Sequence, residues 1–160
     1  MTLDAMIKLV TFAAVFVTLY AAHSFGDHGV QTHGQACAKG EQTRNGQLAC
    51  LWHVATLTAT KLAFLYALVR VTGLPLNGWA LQAGPLVDAA SHYWADRSAY
   101  HENREEPVTL QRLANKLRKG GFYELGDRKA APTGTGAYAL DQSWHHAWLF
   151  VAALIIAAGA

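Results

Sequence analysis

The stretch LACLWHVATLTATKLAFLYALV, residues 48–69, holds 17 apolar residues in 22 and a single charge, Lys61. A run of this length with no turn signal inside it reads as helix rather than strand. It also meets the roughly 20 residues that a helix needs to cross a hydrocarbon core. Two more runs share its character. Residues 7–26 contain 14 apolar residues of 20, with Lys8 the one charge, and residues 144–160 contain 14 of 17, at the short limit for a span. A fourth segment, 79–96, is weaker, because it carries Gln82, Gly84, Pro85, Asp88, Ser91 and His92. Such a helix crosses a membrane only if its polar face looks into a bundle. Pro85 is placed in its first turn, behind a compact turn at residues 73–78. The pattern predicts an all-α fold: a polytopic membrane bundle of about four helices, one domain over residues 1–160.

Composition agrees. The chain is 52% hydrophobic and only 15% charged, below the roughly 25% charged residues of soluble domains. The mean hydropathy of +0.10 averages these apolar blocks with a polar stretch at 97–140. A net charge of +2 and the lack of a helix-turn-helix pattern argue against a nucleic-acid partner. Cys37 and Cys50 form no C-x-x-C pair and read best as small packing residues, with a disulfide or metal role as the alternatives. The first apolar run lacks a small-residue cleavage site after Ala22, so it is expected to be retained.

Within the polar stretch, residues 108–119 read as a short basic amphipathic helix. Leu110, Leu113 and Leu117 recur at helical spacing among Arg112, Lys116, Arg118 and Lys119, and Gly120-Gly121 supplies the stop. Such a helix either lies on an anionic lipid surface or caps the bundle as a solvated element. Four spans place the loops near 27–47 and 97–140 on one side, with ten basic residues; the other side has two, Lys8 and Arg70. Basic loops stay cytoplasmic. The expected location is therefore a bacterial inner membrane, with both termini outward and membrane lipid as the immediate partner.

The same topology gathers polar residues. His23 and Asp27 are four apart at the end of the first helix, and His53 is placed just inside the second. Asp88, His92 and Asp96 step by four along the third, and Asp141 and His145 open the fourth. All four groups fall toward the cytoplasmic face. Four His and four Asp in an apolar setting need pairing or a cation. Imidazole with carboxylate suits zinc, iron or manganese, as one or two ions. A proton relay or a purely structural network is the alternative. His28, His33 and His101 are expected to be exposed, and His146 points about 100° away from His145. Lys61 either pairs with an acid, snorkels, or marks a segment that does not face lipid.

These residues resemble the polytopic bacterial membrane family catalogued as domain of unknown function 3307. The likeness lies in His23-Ser24-Phe25-Gly26-Asp27, then Gln31-Thr32, Gln35, Lys39 and His53-Val54. It continues through Ser91-His92-Tyr93-Trp94-Ala95-Asp96 and closes on Asp141-Gln142-Ser143-Trp144-His145. With Gly136-Ala137-Tyr138 ahead of that block, the chain looks most like actinobacterial or actinophage members. The resemblance implies a helical membrane protein with a role for these polar positions. It implies no reaction.

More loosely, the pattern is similar to membrane-bound metal-dependent hydrolases. The leading functional expectation is hydrolysis of a lipid or lipid-linked substrate, with Asp27 or Asp141 as general base and basic loop residues holding a phosphate-bearing head group. A small transporter, channel-like or holin-like protein is the alternative, and a soluble helical protein with a very apolar core is the third.

Overall fold

The computed structural model describes residues 1–98, 109–127 and 130–160, without the side chain of Pro132. Among them the chain is all-helical. α1 (Leu3–Phe25) runs into a π-helical turn (Gly26–Val30), followed by α2 (His33–Ala38), α3 (Arg44–Thr72) and α4 (Gly78–Arg97). Beyond residue 108 come α5 (Thr109–Lys116), α6 (Gly120–Tyr123), a 3-10 turn (Pro132–Gly134) and α7 (Gly136–Ala158). His101, Arg104, Arg128 and Lys129 lie outside the described residues.

Polar side chains set most helix starts. Thr2, Thr43, Asn77 and Thr135 each accept a backbone N–H from the first turn of α1, α3, α4 and α7, and Thr32 with Gln35 forms a capping box on α2. These caps satisfy donors that the helix itself leaves open. They also move the boundaries. α3 starts at Arg44, so His53 lies two to three turns inside it rather than at its entrance. Asn77 starts α4 at Gly78, which puts Pro85 in the helix interior instead of the first turn. The loop expected near 27–47, between the first two apolar runs, contains α2. α3 ends on Gly73 at φ +68°, in the left-handed region that favours glycine. α5 stops earlier than Gly120-Gly121: Arg118 takes the left-handed conformation and the glycines open α6.

The four long helices pack α1 on α3 and α7, and α4 on α3 and α7. Val15, Leu19, Leu65, Leu149, Ala152, Ala153 and Ile156 form the apolar core between them. A second, smaller core of Leu110, Ala114 and Tyr123 packs with Ala137 and Leu140 of α7. α5 therefore caps the start of α7 through Leu110 and Ala114, while Leu117 is exposed.

Two helical stretches, Leu3–Val30 and Arg44–Thr72, are long and apolar enough to cross a membrane, yet only 22% and 17% of their apolar windows are buried. Val10, Val17 and Tyr20 on α1, and Leu51, Leu62 and Tyr66 on α3, face outward. The apolar run at 144–160 belongs to an α7 whose first half is polar.

Candidate metal centre

Five buried or half-buried side chains converge where α1 ends, α4 ends and α7 begins, beside the first half of α3. The Nε2 atoms of His53 and His92 lie 3.1 Å apart. Asp27 Oδ1 is 3.2 Å from His53 Nε2, and Asp96 Oδ2 is 3.5 Å from His53 and 3.3 Å from His92. Asp27, His53 and His92 each offer one ligand atom within 4.8 Å of the others, and so do His92, Asp96 and His145. With metal–ligand bonds of about 2.0–2.1 Å, neighbouring donors stand roughly 2.8–3.4 Å apart, from octahedral to tetrahedral geometry. The separations of 3.1, 3.2 and 3.3 Å fall within that interval, and the fourth, 3.5 Å between His53 and Asp96, lies just beyond it.

The unsatisfied atoms point the same way. Asp27 Oδ1 and Asp96 Oδ2 are buried, and among the described residues they face imidazole nitrogens at 3.2–3.5 Å without a well-aligned hydrogen bond. A desolvated carboxylate oxygen left so is costly, and a cation among these donors removes the cost. The residues fit a transition dication.

Each donor has a local cause. Gly26 lies against Leu57, where a Cβ would collide with the Leu57 side chain. This close approach brings α1 onto α3, and the π turn that follows sets Asp27 toward His53. π-helical turns recur at functional sites. His92 and Asp96 share one face of α4 by their spacing of four. Across the mouth, Ser24 O accepts from His28 Nδ1–H at 2.9 Å, which leaves His28 Nε2 to accept from the Tyr138 hydroxyl at 2.5 Å. This latch ties the π turn to α7.

Two contributors are absent from the His/Asp pattern. Lys39 is 2.9 Å from Asp96 Oδ1 and 4.0 Å from Asp27 Oδ1. Burial alone would lower the pKa of its ammonium, but Asp96 and Asp27 outweigh burial and raise it. Arg97 fixes the segment that carries it, donating to the carbonyls of Lys39 and Glu41 at 2.8 and 2.5 Å. The second contributor is Gln142, whose Nε2 donates to Asp27 Oδ2 at 3.1 Å and whose Oε1 lies 3.3 Å from His23 Nε2.

The remaining candidates divide. Asp141 stands 3.4 Å from His145 Nε2 at the partly exposed edge. His23 is buried beside the centre but belongs to neither ligand group. Asp88 is apart: it is one turn deeper than His92 and binds Lys61 Nζ at 2.5 Å. Its carboxylate is engaged by a buried ammonium, so it leaves the ligand set, and Lys61 is the paired residue among its three readings. His28 and His33 are exposed as expected. Cys50 is a buried packing residue, whereas Cys37 is exposed, 3.5 Å from His33 Nε2; both are free thiols.

No protein-family model, curated protein or solved structure matches this chain. The site therefore carries the functional argument.

Proposed function

We propose that this chain is a polytopic four-helix membrane protein of the kind its motifs resemble, and that its His/Asp centre is a metal-dependent hydrolytic site for a lipid or lipid-linked substrate. The observation that carries this reading is the convergence of two buried imidazoles with two unsatisfied carboxylate oxygens at one end of the helices. Outward apolar faces on α1 and α3 support a lipid surround, since soluble monomers rarely expose contiguous apolar surface of this extent. α4 and α7 would cross beside them with Asp88, His92, Asp96 and His145 turned inward, all 3% exposed or less.

Depth favours hydrolysis over conduction. Beyond the Lys61–Asp88 pair the interior is closed by Val15, Leu65, Ala152 and Ile156, and a pathway for ions needs polar groups through the full thickness. Four tryptophans, Trp52, Trp94, Trp144 and Trp148, stand on the turns that carry the centre, with Trp94 and Trp144 in ring contact at 4.8 Å. Tryptophan concentrates at the membrane–water boundary, the level of a lipid head group.

A bound transition dication supplies Lewis acidity that lowers the pKa of water. The chain's own groups then divide the work. Asp27 and Asp96 are drawn into the donor set, and Lys39 offsets part of their charge. Asp141 lies outside both ligand groups at the partly exposed edge, with His145 on Oδ2 and Oδ1 unengaged, so it is the carboxylate placed to take a proton as general base.

The test starts from detergent-purified protein, dialysed and analysed for metals. Zinc, iron or manganese should be retained near stoichiometrically. Asp141→Asn should keep that metal yet lower metal-dependent release of head groups from membrane phospholipid by about 10²–10⁴-fold. A wild type holding only traces of transition metal after dialysis rejects the reading.

A further inference from the structure

We infer that the centre holds one ion rather than two, with Asp27, His53, His92 and Asp96 as its ligands, and that Gln142 is the positioning residue that fixes Asp27 for this role. The inference rests on the metal reading above and adds the number of ions and the identity of the ligands.

The two possible ligand groups share His92. A neutral imidazole nitrogen has one lone pair in the ring plane, so His92 Nε2 binds one ion and cannot bridge two. His53 Nε2 stands 3.1 Å from His92 Nε2, 3.2 Å from Asp27 Oδ1 and 3.5 Å from Asp96 Oδ2, so the two groups adjoin at the His53–His92 pair and we read them as one site. His145 is close enough to join it by distance but not by direction. Its ring stacks on that of His92, with centroids 3.9 Å apart and planes 21° from parallel. An ion in the plane of one stacked ring falls well outside the plane of the other, so both lone pairs cannot reach it. His145 Nε2 faces Asp141 instead, at 3.4 Å.

His23 is excluded by a different route. The Asp27 carboxylate only accepts, so the Gln142 amide must turn its NH2 toward Asp27 Oδ2. Its Oε1 then faces His23, and His23 must donate from Nε2. That donation occupies Nε2, and Nδ1, which keeps the lone pair, joins neither ligand group. The same amide leaves Asp27 Oδ1 as the oxygen pointing at His53. Asp96 is oriented in the same manner, Lys39 holding Oδ1 at 2.9 Å and leaving Oδ2 to the imidazoles. Each carboxylate thus has one oxygen anchored and one presented. Anchoring of ligands by such neighbours is worth roughly 10- to 100-fold in metal affinity.

Cobalt(II) is the probe, added to metal-stripped full-length protein in detergent and followed by its visible ligand-field spectrum and by equilibrium dialysis. One cobalt per chain is expected. His145→Phe keeps the stacked ring without its nitrogens, so stoichiometry and spectrum should be those of the wild type, and His23→Phe should behave alike. Asp96→Asn and His92→Ala should alter the spectrum or abolish binding. Gln142→Met should keep one cobalt per chain but weaken it by about 10- to 100-fold with an altered spectrum. A merely structural role for Gln142 would lower the melting temperature of the metal-free protein and leave the spectrum alone. Two cobalt ions per chain in the wild type, or loss of the wild-type spectrum in His145→Phe, overturns this ligand assignment and leaves the metal reading standing. No cobalt binding in the wild type overturns both.

Discussion

Lys61 and Asp88 form a charge pair in the interior of the bundle, buried to 1% and 4% exposure of their side chains. Removing one partner leaves an uncompensated charge in an apolar interior, while removing both leaves none. Lys61→Met should therefore destabilise the fold by about 3–5 kcal/mol. The double variant Lys61→Met/Asp88→Leu should recover most of that loss in detergent unfolding curves. A single variant as stable as the wild type would show that the pair contributes nothing. Spacing alone could not separate Asp88 from the ligands, because steps of four put it on the face of His92 and Asp96. Only the position of Lys61 on a neighbouring helix draws it away. Spacing and charge bias together did bring His23, Asp27, His53, His92, Asp96, Asp141 and His145 to one end. Lys39 and Gln142 entered only through the family resemblance, and their contacts were hidden for a physical reason: no helical period connects them to the carboxylates, Gln142 lying 115 residues from Asp27.

Where α4 crosses α7, Gly84 faces Ile156 and Ala152 so closely that an added Cβ would lie 2.8 Å from Ile156 Cγ1 and 2.9 Å from the Ala152 carbonyl oxygen. Small residues permit such close backbone approach between helices, and Ala80 and Ala153 are buried on the same two helices. Gly84→Val should push the helices apart and cost about 1–3 kcal/mol in an unfolding measurement. An unchanged melt would mean the contact is loose. The long helices were legible from their apolar runs, but their ends were set by chemistry those runs do not contain. Thr43 and Thr135 extend α3 and α7 toward their N-termini with caps, and Asn77 leaves Pro85 eight positions into α4. The π turn had no signal in apolar periodicity; it begins at Gly26, which packs against Leu57 of α3.

α3 spans 29 residues, about 43 Å at 1.5 Å per residue, against a hydrocarbon core of about 30 Å. If Thr72 lies at one boundary, His53 falls roughly 28 Å away, at the other, beside the exposed ring of Trp52. The turns from Arg44 to Leu51 then project into the interfacial layer with Lys39 and Arg97, both basic. On the proposed membrane reading the centre shares one end of the molecule with Lys39 and Arg97, and the excess of Lys and Arg in the two polar segments would place that end in the cytoplasm. The protein carries its own reporter for this orientation. Cys37 is an exposed thiol on the centre's side, whereas Cys50 is fully buried. A membrane-impermeant maleimide applied to intact spheroplasts should leave the chain unlabelled, and permeabilising the membrane should admit one label per chain, at Cys37. Cys37→Ser should abolish that label. Labelling of Cys37 from outside in intact spheroplasts would invert the topology, placing the metal centre and its substrate on the outer leaflet.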